Sequence, residues 1–466
     1  MSLRLAASLA LLLAASPLPV QAPSGPGSAA APQAGPVEGL VRAWLEAFNS
    51  GDRARIKAFY KQHADDPEPM FALEQAEDSC GLTVDRIAAR SPTAMTIFFR
   101  QKCLPGLQRL KIEIASAEGT KTKTLDLRPM PLPGDEAIQT TAEIARRLAT
   151  RDLFAGSLVI RRGNGTVMQR SWGLADPDRR VRMSGDTPMF LASAGKMFTA
   201  VAILQLVDSG KIELDAPLGK YLTDYPNADM AKVTIRQLLT HRGGTGDIGI
   251  LARGDSANRA KVRTVADLIR LNGARAPAFP PGSKADYSNY GFVLLGAVIE
   301  RVTGTAYHDH VRRAVFERAG MTRSGFPDRD HLAGVAIGYT NYFGAEPSLR
   351  PNLEILPWRG TPAGGGVSTP RDMLAFFAAM KAGRLLSPAS FRLATSAGAT
   401  SWYGMGFIVN TGEGASWGHG GTSYGMDIAA HHYSKIDTTF LCMAARDMVC
   451  NRLIFAWYLR TFAPED

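Results

Sequence analysis

In a chain of 466 residues, one serine has a lysine three positions on: Ser193 in Phe190-Leu191-Ala192-Ser193-Ala194-Gly195-Lys196. An apolar helical pattern continues through Val201, Ile203, Leu204 and Leu206 and stops at Gly210. Ser193 thus stands where a helix begins, with Lys196 on the same face one turn up. A serine hydroxyl is a weak nucleophile until a neighbouring base takes its proton. A lysine can be that base once burial or nearby positive charge lowers its pKa from its free value of about 10.4. The helix N-terminus favours negative charge developing beside Ser193. Taken alone, the pair also describes a capping serine next to a solvated lysine. The small apolar residues around it argue against that plainer reading.

Two further stretches carry chemistry. In Pro281-Gly282-Ser283-Lys284-Ala285-Asp286-Tyr287-Ser288-Asn289-Tyr290-Gly291, an extended backbone would turn Tyr287 and Asn289 toward one cleft. A tyrosine beside a lysine can pass a proton between nucleophile and leaving group, and Asn289 can grip a substrate carbonyl. In Ser416-Trp417-Gly418-His419-Gly420-Gly421-Thr422, glycines between two strand-like runs mark a close approach of ligand or backbone. A substrate could pair along such an edge as an extra strand, and a backbone N–H there could join that of Ser193 in an oxyanion hole. Taken alone, the Tyr287 stretch reads rather as a turn rich in Ser and Asn ahead of a helix at 292–302.

Two other matches fail on context. Gly421-Thr422-Ser423-Tyr424-Gly425 has the G-x-S-x-G pattern, but strands follow it and no acid and histidine come in order. Gly244-x-Gly246-x-x-Gly249 has the dinucleotide pattern but follows a helix. His308-x-His310 and His431-His432 lack partners at metal-ligand spacing, so no metal is expected.

The elements that must position these residues form two regions. Residues 37–59 read as helix, with Val37, Leu40, Val41, Trp44, Leu45 and Phe48 at helical spacing and a break at 49–52. Strands are expected around 82–84, 94–99, 110–114 and 124–127, which gives a small α+β unit of two helices and a run of strands. A proline-rich boundary at 129–134 follows. The second region begins with a helix at 136–150 and a hairpin, 157–161 with 166–172, turned by Gly163-Asn164-Gly165. Helices dominate to about 381. Strands return near 406–409, 428–433 and 438–444, before a last helix at 451–462. One sheet built from both ends of the region, with helices inserted between, is expected.

The order Ser-x-x-Lys, Tyr-x-Asn, His-x-Gly resembles the serine β-lactamase and penicillin-binding-protein superfamily, on its class C and D-aminopeptidase side. The resemblance spans about residues 137–464. It includes Val233-Thr234-Ile235-Arg236-Gln237-Leu238-Leu239-Thr240-His241 and Gly364-Gly365-Gly366-Val367-Ser368-Thr369. It implies an α/β (α+β) transpeptidase-like fold, an antiparallel sheet flanked by helices with an inserted helical subdomain. It also implies roles: Ser193 the acylated nucleophile, Lys196 its base, Tyr287 the proton shuttle, Asn289, His419 and Gly421 substrate contacts. The N–H groups of Ser193 and Thr422 would form the oxyanion hole. His419 stands where β-lactamases have a lysine, which implies esterase- or D-peptidase-like specificity over penicillin hydrolysis. His241-Arg242-Gly243-Gly244 departs from the commoner His-Thr-Ser/Gly-Gly at the cleft edge. The stretch Ala43-Trp44-Leu45-Glu46-Ala47-Phe48-Asn49-Ser50-Gly51-Asp52 with Phe59-Tyr60 resembles the opening of the nuclear transport factor 2-like family of cone-shaped domains. A domain of that kind at 37–130 would offer a surface for self-association or ligand contact.

Residues 1–22 have the parts of an export signal: Arg4, the apolar run 5–15 and Val20-Gln21-Ala22. A Pro/Ala/Gly/Ser linker, 23–36, follows. The expectation is an exported, periplasmic or secreted protein with no membrane span after cleavage. In that compartment Cys80 with Cys103 and Cys442 with Cys450 could be disulfides or buried thiols. The net charge of +10 comes with arginine clusters that lack interleaved aromatics, so nucleic acid is not an expected partner. The expected partner is a small ester, peptide or β-lactam, with no cofactor. A non-catalytic module of the same fold, recognising peptidoglycan-like ligands, is the competing reading.

Overall fold

The computed structural model describes residues 35–116, 119–248, 262–341 and 349–462. The expected export signal lies outside them, as does the linker but for Gly35 and Pro36. The described chain divides into two compact units, one of Ala145–Ile454 and the other of residues up to Ile144 with those from Phe455 on.

In the unit of the earlier residues, α1 (Pro36–Asn49) begins with proline at its first turn and buries Val37, Leu40, Val41, Trp44, Ala47 and Phe48. Asp52 caps α2 (Arg53–His63), accepting from the amides of Ala54 and Arg55. A third helix, α3 (Met70–Ser79), is absent from the sequence reading. Its buried face mixes Ala72, Leu73 and Ala76 with Gln75, Asp78 and Ser79, which blurs the apolar periodicity. The strands β1 (Leu82–Arg90), β2 (Ala94–Gln101), β3 (Leu107–Ile114) and β4 (Thr122–Pro129) form an antiparallel sheet in chain order. Trp44, Phe48, Phe99, Leu110 and Ile112 are among the residues of its core. Cys80 and Cys103 form a disulfide.

The other unit is built on a six-stranded antiparallel sheet drawn from both ends of the region. The hairpin β5 (Gly156–Arg162) and β6 (Gly165–Trp172) joins β7 (Ile408–Asn410), β8 (Ser416–Ser423), β9 (Met426–Tyr433) and β10 (Thr438–Ala444) in the order β7-β8-β9-β10-β5-β6. β8 contains the glycine-rich stretch that the sequence places only between strands. Its partner β7 pairs with Ser416, Trp417 and Gly418 alone, so no described strand pairs with that edge from 419 to 423. Asp427 of β9 stands opposite Thr422.

The helix expected at 136–150 is present as α4 (Glu136–Thr150). The helix α5 (Lys196–Asp208) is apolar on every side and lies within the core, where Phe198 meets Phe316 and Phe376 edge-on. Ser288 caps α6 (Asn289–Thr303), and Gly304 ends it in the left-handed conformation. Cys442 of β10 is bonded to Cys450 at the start of α8 (Val449–Phe462), with α7 (Pro370–Lys381) earlier in the chain.

Candidate active site

Ser193 sits in a single 3-10 turn, Ala192–Gly195, that runs directly into α5. The turn is held from outside: the amide of Leu191 donates to the Gly366 carbonyl at 3.1 Å, and that of Gly365 to the Ala192 carbonyl at 2.8 Å. Ala192 itself adopts φ +41, a left-handed backbone uncommon for a residue with a side chain. The segment Gly364-Gly365-Gly366 passes so near that a Cβ at Gly364 would lie 2.6 Å from the Ala192 carbonyl oxygen.

Lys196, one turn on, is fully buried. Its Nζ lies 3.3 Å from Ser193 Oγ, donates to Asn289 Oδ1 at 2.6 Å, and donates to the Ala363 carbonyl. The rings of Tyr287 and Phe292 stand 4.7 and 5.6 Å from it. Burial among these groups pushes the ammonium pKa down to about 7, against the pull of the Asp247 carboxylate. The Tyr287 phenol hydrogen-bonds Ser193, and burial raises its pKa above the ordinary tyrosine value. Tyr287 therefore holds its proton across the neutral range, and Lys196 is the group poised to release one.

Asn289 is not on an extended segment beside Tyr287, as the sequence suggests, but is the first residue of α6. Its amide is engaged at both ends, with Oδ1 on Lys196 and Nδ2 donating to Asp247 Oδ1 at 2.9 Å. His419, only 1% exposed, has Nε2 3.1 Å from the Tyr403 hydroxyl and Nδ1 against the Gly420 carbonyl. Burial holds its pKa down at about 3, so the imidazole is neutral. Gly421 lies against the turn that carries Ser193: a Cβ there would be 2.7 Å from the Ser193 nitrogen and from the Leu191 carbonyl oxygen. Thr422, next on the strand, donates its hydroxyl to Asp427 Oδ1 at 2.6 Å, and Asp427 Oδ2 accepts from the Cys450 amide at 2.6 Å. Burial of that aspartate raises its pKa to about 7, though these donors oppose the shift.

The sequence-expected residues from all three motifs thus meet around one turn. Four contributors went unnoticed in the sequence. The Ala363 carbonyl is a main-chain atom and carries no residue signal. Asp247 and Tyr403 belong to no pattern read there, and Asp427 supports Thr422 from the next strand. A separate groove of about 700 Å3, lined in part by Thr240, Arg242, Gly282 and Met405, contains none of Ser193, Lys196 or Tyr287.

A family model described as Beta-lactamase matches residues 141–446. Penicillin-binding protein 4 of Amycolatopsis lactamdurans is 29% identical over 274 residues, which cover 56% of this chain and 67% of that protein. Esterase EstB of Burkholderia gladioli is 31% identical over 202 residues, covering 41% of this chain and 51% of its own length. The chain therefore spans about half the length of that esterase. Among solved structures, a penicillin binding protein from Bacillus halodurans aligns with a TM-score of 0.60 at 28% identity, covering 66% of this chain and 98% of that one. A D-stereospecific amidohydrolase from Streptomyces gives 0.58 at 25% identity, with 70% and 99% covered.

Proposed function

The chain belongs to the beta-lactamase family, a family of serine hydrolases, and on that premise we propose that it cleaves esters or amides through an acyl-enzyme on Ser193. The observation that carries this reading is the set of partners around Lys196 Nζ. A neutral lysine amine has two N–H bonds and one lone pair. Asn289 Oδ1 and the Ala363 carbonyl take two donations, which leaves the lone pair for the Ser193 hydroxyl 3.3 Å away. A pKa near 7 makes that neutral form abundant at physiological pH.

In the proposed reaction, Lys196 takes the Ser193 proton as Oγ attacks the carbonyl carbon. The N–H groups of Ser193 and Thr422 receive the oxyanion. Tyr287, still protonated, hands a proton to the leaving alcohol or amine and regains one from Lys196. Water then attacks the ester of Ser193 by the reverse relay and frees the acid. With His419 neutral, no fixed cation at that position favours a substrate carboxylate. The reading therefore prefers neutral short-chain esters and D-aminoacyl amides or small D-peptides over β-lactams. The esterase and the D-stereospecific amidohydrolase among the similar proteins support that order. The unit of earlier residues is read as an accessory domain of the nuclear transport factor 2-like kind, and the protein as exported.

A fluorophosphonate probe followed by peptide mass spectrometry tests the reading. The expected adduct is on Ser193 and disappears in Lys196→Met. A folded wild-type protein that takes no label there would overturn it in favour of a binding module.

A further inference from the structure

We propose that His241 is a positioning residue for Tyr287, gripping the backbone on both sides of it through one carbonyl and one ring nitrogen. The inference rests on the reading of Tyr287 as the proton shuttle, and it concerns a residue with no place in the reaction steps above. The amide before Tyr287, that of Asp286, donates to the His241 carbonyl at 2.9 Å. The amide after it, that of Ser288, donates to His241 Nδ1 at 3.1 Å. Between these two bonds the imidazole packs on the phenol ring, centroid to centroid 4.3 Å. Three contacts from one residue thus constrain the position, the direction and the ring plane of Tyr287.

Two features show that His241 is shaped for this contact. Its backbone is left-handed, with φ +55, which turns the side chain and the carbonyl toward the same neighbouring segment. Because Nδ1 accepts a hydrogen bond, the proton of the neutral ring is on Nε2. That nitrogen is buried and has no hydrogen-bond partner among the described residues, set among aromatic rings that include Tyr403 at 4.5 Å and Phe292 at 5.2 Å. A donor left unpaired in the interior is unfavourable, and here it accompanies a tautomer that frees Nδ1 for Ser288. Burial, with Lys196 and His419 nearby, holds the ring pKa well below its usual value, so the acceptor persists over the working pH range.

A pair of variants separates the acceptor from everything else. Both His241→Gly and His241→Asn tolerate a left-handed backbone and keep the carbonyl that holds Asp286. Only Asn restores a side-chain oxygen near the place of Nδ1. Hydrogen exchange of the peptide containing Ser288 reads the grip without reference to activity. Exchange should accelerate at least tenfold in His241→Gly and return most of the way in His241→Asn. With p-nitrophenyl butyrate, kcat should fall about ten- to a hundred-fold in His241→Gly with KM within about threefold, since positioning errors act on the chemical step. Asn should recover most of that loss. In a Tyr287→Phe background the same substitutions should change kcat less than about threefold, because the residue being positioned has lost its function. Unchanged exchange in His241→Gly would overturn the grip. Equal losses in both variants, or full additivity with Tyr287→Phe, would overturn its role in positioning. Failure of the hydrolase reading is distinguishable: it appears as absent Ser193 labelling in the wild type, while exchange still reports on His241.

Discussion

Gly421 presses on Ser193 from the neighbouring strand, and a methyl group at 421 would meet the Ser193 nitrogen at 2.7 Å. All three atoms that such a methyl would strike, that nitrogen, the Leu191 carbonyl oxygen and the Ala194 nitrogen, belong to the main chain, so no flexible side chain can yield. Gly421→Ala must therefore push β8 away from the turn that carries Ser193. Overpacking of this kind costs about 1–3 kcal/mol of stability. Loss of one oxyanion donor costs roughly a hundred- to a thousand-fold in kcat. The expected result is a folded protein with a lower melting temperature and at least a hundred-fold slower ester turnover. Normal turnover in a folded Gly421→Ala would show that the strand does not help to bind the oxyanion.

The pH dependence should have a single acid limb set by Lys196. Its amine must be unprotonated to accept from Ser193, and its pKa is held down at about 7. Below that value kcat/KM should fall roughly tenfold per pH unit, as the neutral fraction does. Tyr287, with its pKa raised, keeps its proton on the alkaline side and adds no descending limb near neutrality. A pH–rate profile on a neutral ester, at constant ionic strength, reads this directly. A flat profile between pH 5 and 8 would rule out Lys196 as the base.

Substrate choice should turn on position 419. The wild type presents a neutral imidazole there, tied to the Tyr403 hydroxyl. Substitution by lysine introduces a charge able to meet a substrate carboxylate, a contact worth about 1.5–3 kcal/mol or roughly ten- to a hundred-fold. His419→Lys should raise the ratio of kcat/KM for a chromogenic cephalosporin to that for p-nitrophenyl butyrate by at least tenfold. In the wild type the ester should be the better substrate. A wild type that prefers the cephalosporin would reverse this assignment.

How much of the site is legible in the sequence depends on how its parts are encoded. Ser193 and Lys196 are one helical turn apart, so their meeting follows from local geometry alone. Tyr287 and His419 are recognisable only as members of an ordered set, since nothing local brings them toward Ser193. Asn289 shows the limit of local reasoning: side-chain alternation along an extended segment has no force once Ser288 caps a helix and Asn289 begins it. The strand β8 is hidden because glycine has low strand propensity, and of its three glycines Gly421 is the one whose backbone closes on the turn that carries Ser193. The helix α3 is hidden by the polar residues on its buried face. The sequence leaves each cysteine pair open between bonded and free, and both are disulfides.

Asp427 and Lys196 are two buried groups that the fold would keep uncharged, and their opposite signs give their joint contribution to stability a minimum. From about pH 4 to 7 the folded state holds a proton on Asp427 that the unfolded chain has released, so stability falls as pH rises. Above about 7, and up to the free lysine value, the unfolded chain holds a proton on Lys196 that the folded state has released, so stability rises again. The combined contribution of the pair is lowest near neutrality, where many proteins are most stable. Six histidines whose pKa burial lowers oppose the Asp427 slope below about pH 6.5, so the pair is read by difference. The urea midpoint of Asp427→Asn relative to wild type should climb from about pH 4 to 7, and that of Lys196→Met should decline above about 7. At the pH where half of Lys196 is unprotonated, the domain carries the greatest cost of holding these two side chains out of water.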